Sequence, residues 1–370
     1  MSDQTEKTLA RKGIDALPVY HAGKTPQQYQ EKYGLHEMTV LHLNENPIGA
    51  SPKALQAIRA NLDQIFRYPD SSCQLLREKI AQKNKLSPEM IICANGGDNI
   101  ITTVMKAFIN EGDEVIIGTP SFAIYDIAAT AMGGKTVKVP LKEYKFDLPA
   151  MLKAINQKTK LIIICTPNNP TGTICAKEEL EDFMAKIPDH CLVLLDEAYM
   201  DFADKDVFPD SLTYIRENRN ILSLRTFSKF YGLAGLRLGY AIGPQRLIET
   251  MYKVVEVFAV DSLAQAAGIA ALDDIYFADL VCQTVQNGKA YLISKLEKCG
   301  CKVVPSQSNF IFVDVGMDSE VMQLELLKRG FMIKSGTGWG YPTCCRISIG
   351  TRNEVQLLVQ AIAQIKQKNK

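Results

Sequence analysis

Lys229 is the residue best placed for covalent chemistry. It stands in Thr226-Phe227-Ser228-Lys229-Phe230-Tyr231-Gly232, just past a β-rich run that ends near Leu224. Most lone lysines are solvated surface charges. Here apolar and glycine neighbours would depress the amine's pKa, and a neutral amine condenses with a carbonyl to form an imine. Ser228 and Arg237 lie in the same segment and supply a hydroxyl and a planar fork of donors, both suited to a phosphate.

Three further segments close β-rich runs or open helices with polar groups. In Val193-Leu194-Leu195-Asp196-Glu197-Ala198-Tyr199 an acid ends an apolar run. An isolated aspartate at such a place is most simply a helix N-cap. In Cys165-Thr166-Pro167-Asn168-Asn169-Pro170-Thr171-Gly172, proline and glycine enforce a tight loop, and its two asparagines could do no more than satisfy it. In Asn95-Gly96-Gly97-Asp98, backbone N–H groups at a helix start offer an anion seat, although glycines before helices are common.

The elements that must position these groups alternate in type. Strand-like runs at 90–94, 114–117, 135–139, 161–165, 192–195, 221–224 and 237–242 are separated by helical patterns at 98–109, 122–132, 177–186 and 211–218. Helices at 53–61 and 73–84 precede them. This alternation predicts an α/β fold, a mostly parallel sheet covered by helices, with ligands collecting at the carboxyl ends of the strands. The run 161–165 is apolar on both faces, as a central strand requires. After about residue 262 the pattern changes to helices at 263–272, 277–299 and 319–329, strands at 310–314, 331–334 and 345–349, and a final helix from 352. That reads as a smaller α+β domain. The expected division is an arm at 1–47 packing on the small domain or a neighbouring subunit, a large domain at 48–261 and a small one at 262–370. No tether or repeat separates them, so the two domains are interleaved.

Composition narrows the function classes. The 370 residues carry 42 Lys and Arg against 41 Asp and Glu, which removes any general electrostatic case for nucleic acid or an anionic membrane. No apolar run is long enough to span a bilayer and Met1 to Lys12 has no apolar core, so a cytoplasmic protein is expected. The ten cysteines are too dilute for a disulfide scaffold; Cys73, Cys93, Cys165, Cys175, Cys191 and Cys282 read as buried small hydrophobes. With four histidines and no zinc-type cysteine spacing, no metal site is expected.

In this order and spacing the four segments resemble the fold-type I pyridoxal-phosphate enzymes, specifically the aminotransferases, over roughly Asn44 to Arg346. Within that group Leu43-Asn44-Glu45-Asn46-Pro47, Arg67-Tyr68-Pro69 and Cys345-Arg346-Ile347-Ser348-Ile349-Gly350-Thr351 are similar to segments of the histidinol-phosphate aminotransferases. The resemblance implies pyridoxal 5'-phosphate as cofactor. Lys229 would bind it as an imine and then act as the base for the substrate's α-proton. Asp196 would pair with the ring nitrogen, Tyr199 and Asn169 with the phenolic oxygen, and Phe122 would stack on the ring. Gly97, Asp98, Thr226, Ser228, Arg237 and Tyr68 would surround the phosphate. In the family the tyrosine at the Tyr68 position reaches into the other subunit's site, which implies a homodimer. Arg346 would grip the substrate's anionic group, with Asn169, Tyr20 and Lys334 as further substrate contacts.

The implied reaction is a ping-pong transfer of an amino group from histidinol phosphate to 2-oxoglutarate. Departures from the subgroup touch the substrate side: Lys334 stands where an arginine is common, and loses the bidentate fork. Val257-Phe258-Ala259 replaces a Pro-aromatic-Asn run, and Asn99 an acidic residue. An aromatic amino-acid aminotransferase is the nearest alternative, since imidazole and phenyl rings fit similar pockets. A phospho-amino-acid decarboxylase would share the cofactor contacts but release carbon dioxide without a keto-acid acceptor. A non-enzymatic cofactor-binding regulator would need a basic helix-turn-helix extension that this chain lacks. A dinucleotide fingerprint at Gly232 to Gly239 is rejected, because its spacing is wrong and it precedes its strand.

Overall fold

The apolar β-runs gather into one seven-stranded sheet in a computed structural model that describes residues 9–368 apart from 18 and 20–22. Tyr20 lies outside the described residues. In chain order the strands are β1 (Ile91–Asn95), β2 (Glu114–Thr119), β3 (Lys135–Pro140), β4 (Thr159–Cys165), β5 (Leu192–Asp196), β6 (Ile221–Thr226) and β7 (Leu238–Ile242). Across the sheet they run β1-β7-β6-β5-β4-β2-β3. Strands β2 to β6 pair in parallel, and β7 alone is antiparallel to both its neighbours. The apolar character of β5 and β6 follows from position: every residue of both is buried, because helices cover both faces.

Local sequence sets the helix starts. Pro52–Asn61 begins at the Ser51 cap, whose hydroxyl accepts from the Ala54 N–H, with proline in the first turn. Cys73, expected inside the next helix, instead caps Gln74–Asn84 in a left-handed conformation with φ 51°. Gly96–Phe108 begins directly where β1 ends, two residues before the apolar periodicity starts. Pro26–Tyr33 escaped the periodicity because it buries no side chain; the Thr25 capping box marks it instead. Leu148–Ala154 and Gln245–Tyr252 were also missed, being one or two turns long.

Beyond the large sheet, Lys302–Val304, Phe310–Asp314, Cys344–Ser348 and Lys334–Ser335 form a four-stranded antiparallel sheet. Thr39–Val40, from the arm, pairs in parallel with Phe331–Met332. Helix Ser262–Leu272, expected in the small domain, packs on Pro52–Asn61. Cys282 is half-buried on Ile275–Lys298, unlike the fully buried place read from its apolar neighbours. Among the described residues no helix is long and apolar enough to cross a membrane.

The reversal of β7 places its first residue at the sheet edge where its neighbours end. Arg237, immediately before it, therefore stands beside the ends of β1 and β6. This close approach depends on glycine: a Cβ at Gly239 would lie 2.5 Å from the Gly96 carbonyl carbon, and one at Gly96, where φ is +77°, 2.6 Å from Arg237 Nη2. We expect Gly239→Ala to cost about 1–3 kcal/mol in denaturant unfolding. Exposed Gly235, with nothing within 4 Å of its Cβ direction, serves as control, and Gly235→Ala should stay within about 0.5 kcal/mol of the parent.

Candidate active site

A cavity of about 250 Å³ opens at the carboxyl edge of the sheet. It is reached by the residues that follow β1, β2, β4, β5 and β6, by Arg237 ahead of β7, and by Arg346 from the small sheet. Lys229, Asp196, Tyr199, Gly97, Asp98, Phe122, Asn169, Thr226, Ser228, Arg237 and Arg346 all line it. Residues far apart in sequence meet there because parallel strands end on one side.

The two groups at its heart are displaced in opposite senses. Burial, aided by the Arg346 charge, lowers the Lys229 amine from its ordinary 10.5 to about 8. Its Nζ donates to the Leu43 carbonyl at 2.8 Å and stands 6.0 Å from the centre of the Tyr199 ring. Asp196 is 4% exposed, and burial raises its carboxyl from 3.8 to about 6. Two donors work against that rise: the Tyr125 hydroxyl at 2.5 Å and the Ala198 N–H at 3.0 Å. Asp196 is thus no helix cap but a buried acid with oriented oxygens. Tyr125 had gone unremarked, although it stands one turn beyond Phe122 and packs edge-on to it.

A second framework comes from the small sheet and the arm. Asn44, with φ 55°, donates from Nδ2 to the Tyr199 hydroxyl at 3.0 Å. It is fixed in turn by Ser348, whose hydroxyl donates to Asn44 Oδ1, and by Asn309 Nδ2, which donates to its carbonyl. Arg346 donates from Nη1 to Asn169 Oδ1 and from Nη2 to the His42 carbonyl at 2.6 Å. Its guanidinium carbon lies 5.6 Å from the Phe310 ring centre and 5.3 Å from that of Trp339. Asn168, by contrast, ties its loop to the one after β2, accepting from Ser121 Oγ and donating to the Pro120 carbonyl and to Thr171 Oγ1. The two adjacent asparagines differ because one faces the loop and the other the cavity.

The far wall suits an anion. The N-cap residue Asn95 makes no side-chain cap bond to Gly96–Phe108, which leaves the first-turn amides of that helix as donors with no intrahelical acceptor. Facing them are the Thr226 and Ser228 hydroxyls and Arg237, whose Nη1 lies 3.4 Å from Ser228 Oγ and whose Nη2 lies 3.3 Å from Asp98 Oδ2. Only a residue without Cβ fits at Gly96 beneath that guanidinium. Convergent N–H, hydroxyl and guanidinium donors fit a phosphate dianion. Phe122 and the buried acid fit a flat heteroaromatic ring with a basic nitrogen, and Lys229 fits its aldehyde. Among the described residues, no group of three or more His, Cys, Asp or Glu could hold a metal ion.

Two expected residues are not brought to this cavity. Tyr68 is 83% exposed and stacks on Phe258, with ring centres 4.7 Å apart. Lys334 is exposed and lies directly across the antiparallel ladder from Arg346, one step outside the lining. Of the departures, Asn99 acquires a partner, its Nδ2 donating to Glu256 at 2.8 Å, while Phe258, the aromatic of the Val257-Phe258-Ala259 run, is the ring on which Tyr68 stacks.

The family model "Aminotransferase class I and II" matches residues 36–362. A histidinol-phosphate aminotransferase of Moorella thermoacetica is 41% identical over 356 residues, 96% of this chain and 92% of the relative. Histidinol-phosphate aminotransferase 2 of Carboxydothermus hydrogenoformans is 39% identical, covering 93% of this chain and 95% of its own. Among solved structures, histidinol-phosphate aminotransferase from Sinorhizobium meliloti in complex with pyridoxal-5'-phosphate superposes with a TM-score of 0.90 at 26% identity, over 99% of this chain and 100% of that one.

A lysine of ordinary pKa has about one amine in a thousand or fewer neutral at pH 7, whereas one titrating near pH 8 has about a tenth. Acylation of Lys229 in cofactor-free protein, followed by peptide mass spectrometry, should rise with pH to a midpoint near 8. Because the Arg346 charge favours the neutral amine, Arg346→Met should move that midpoint upward.

Proposed function

Because the chain belongs to the aminotransferase class I and II family, we propose that it is a pyridoxal-phosphate-dependent aminotransferase of histidine biosynthesis. It moves an amino group between histidinol phosphate and 2-oxoglutarate, as a cytoplasmic homodimer. The observation that carries the reading is the pairing in one cavity of a lysine amine lowered to about 8 with a buried acid, opposite a cup of phosphate donors. The long, high-identity match to histidinol-phosphate aminotransferases favours that donor over an aromatic amino acid.

When bound, pyridoxal phosphate supplies an aldehyde that takes up an amine and a ring that stabilises negative charge on the donor's amine-bearing carbon. The Gly97 and Asp98 amides, Thr226, Ser228 and Arg237 would hold its phosphate, and Phe122 would cover one ring face. Asp196 would keep a proton on the ring nitrogen, its oxygens aimed by Tyr125 and the Ala198 N–H. Tyr199, steadied by Asn44, and Asn169 would reach the phenolic oxygen. Lys229 Nζ would take a proton from the donor's carbon and return it, a transfer suited to an amine titrating near neutrality.

Arg346 would hold the substrate's anionic end. Asn169 Oδ1 and the His42 carbonyl fix its fork, and two aromatic rings restrict its plane. Lys334, opposite it on the ladder, would add charge for a phosphate without a second fork. In this reading 48–261 is the cofactor-binding unit, 262–370 brings Arg346 to it, and the 1–47 arm, through Asn44, completes the substrate side. The homodimer is supported by Tyr68, exposed together with Ile65 and Phe66 and outside the lining of its own cavity. It would complete the phosphate cup of a second copy.

The purified protein should be yellow. Lys229→Ala should lose the visible band of the lysine-linked cofactor while retaining cofactor through its phosphate. In a panel of amino donors with 2-oxoglutarate, histidinol phosphate should turn over fastest. Rapid use of phenylalanine or tyrosine with none of histidinol phosphate would reverse the assignment.

A further inference from the structure

On the face of the sheet away from the cavity, an ion pair sits directly behind the site. Glu197 follows Asp196 and Arg225 precedes Thr226, and neighbours along a strand face opposite sides. Asp196, Leu224 and Thr226 line the cavity; Glu197 and Arg225 do not. Arg225 Nε donates to Glu197 Oε2 at 2.9 Å, with side chains 11% and 0% exposed. Ser223 donates a hydroxyl proton to the same oxygen, and Arg225 Nη1 donates to Asn84 Oδ1 at 2.9 Å.

The position of the pair along the strands gives it a task. The β5–β6 ladder has its last partners at Asp196 and Leu224, and beyond them one backbone bond, Glu197 N–H to the Leu224 carbonyl at 2.8 Å, continues the register. Asp196 and the Thr226-to-Lys229 turn both lie at this end. A cofactor held by its phosphate at one strand and by its ring at the other requires a fixed offset between them. Tyr240, directly across the ladder from Arg225 in the middle of β7, lies in the same layer.

We propose that the Glu197–Arg225 pair is a positioning device that locks the ends of β5 and β6 together, so that Asp196 and the phosphate-binding hydroxyls hold one pyridoxal phosphate at the same time. Neither residue touches the cavity. Their effect on cofactor is exerted through the spacing of Asp196 from Thr226 and Ser228. The inference rests on the reading of the cavity as a pyridoxal-phosphate site, and its failure is distinct from failure of that reading.

The test is titration of cofactor-free protein with pyridoxal phosphate, alongside thermal melting of the same preparations. Parent protein that takes up no cofactor would sink the functional reading itself. With parent binding in place, Glu197→Gln should weaken cofactor binding about tenfold, the scale of removing a supporting group behind a ligand site. Glu197→Gln/Arg225→Met removes both charges of the pair, leaves Lys83 to offset the neighbouring Asp201 and should recover most of the melting temperature. It should keep the weakened binding, and it carries the test should the single variant not fold. Leu358→Ala, buried in Arg352–Lys368, lowers the melt without touching either strand end and should leave cofactor affinity unchanged. Parent-like affinity in the double variant, or weakening of equal size in Leu358→Ala, would overturn the proposal.

Discussion

An amine and a carboxyl group are buried within one cavity, and burial disfavours the charged form of each. It moves Lys229 down towards neutrality and Asp196 up towards it. The rest of the site answers that constraint. A buried carboxyl needs donors to remain useful as an anion, and the Tyr125 hydroxyl and Ala198 amide supply them. A buried amine next to a guanidinium sheds its proton more readily, and Arg346 provides that neighbour. Groups pushed in opposite directions are what acid–base work near neutral pH requires.

The sheet accomplishes this with one irregularity. Parallel strands bring Asn169, Asp196 and Lys229 to a common edge but leave no strand beginning there. Turning β7 around inserts a beginning among the ends, and Arg237 stands at it beside the start of Gly96–Phe108. Donors from a helix, two hydroxyls and an arginine then face one point. Gly239 is required because the backbone of Gly96 approaches it more closely than a Cβ allows, and Gly96 because its φ is +77° and the Arg237 guanidinium lies against it.

The wall of the cavity around Arg346 is assembled differently, from the small sheet and the arm. Arg346 crosses to the large unit to meet Asn169, and the arm supplies the carbonyl of His42 and the amide of Asn44. His42, lying near Arg346 and Lys334, is held neutral by burial and by those charges, with a pKa lowered to about 4. No imidazole beside Arg346 therefore titrates near neutral pH. Asn169 sits at the junction and serves both halves.

Much of this was legible in the residues. Alternating apolar runs determined the α/β class, because a strand buried on both faces must be apolar throughout, and the polar residues at run ends marked the cavity edge. The motif order carried Lys229, Asp196, Asn169 and Arg237. Tyr125 was not legible, and Asn44 was marked only as part of the Leu43–Pro47 loop, because each acts through a bond to a residue distant in sequence. The resemblance picked out Asn169 over Asn168, but the bonds that separate the two adjacent asparagines are set by loop packing. Chain order and period are local properties, so the sequence determined which elements form and which groups they carry. The reversal of β7, the offset between strand ends and the partners of each buried polar atom are set by contacts across the fold, and only the tertiary structure decided those.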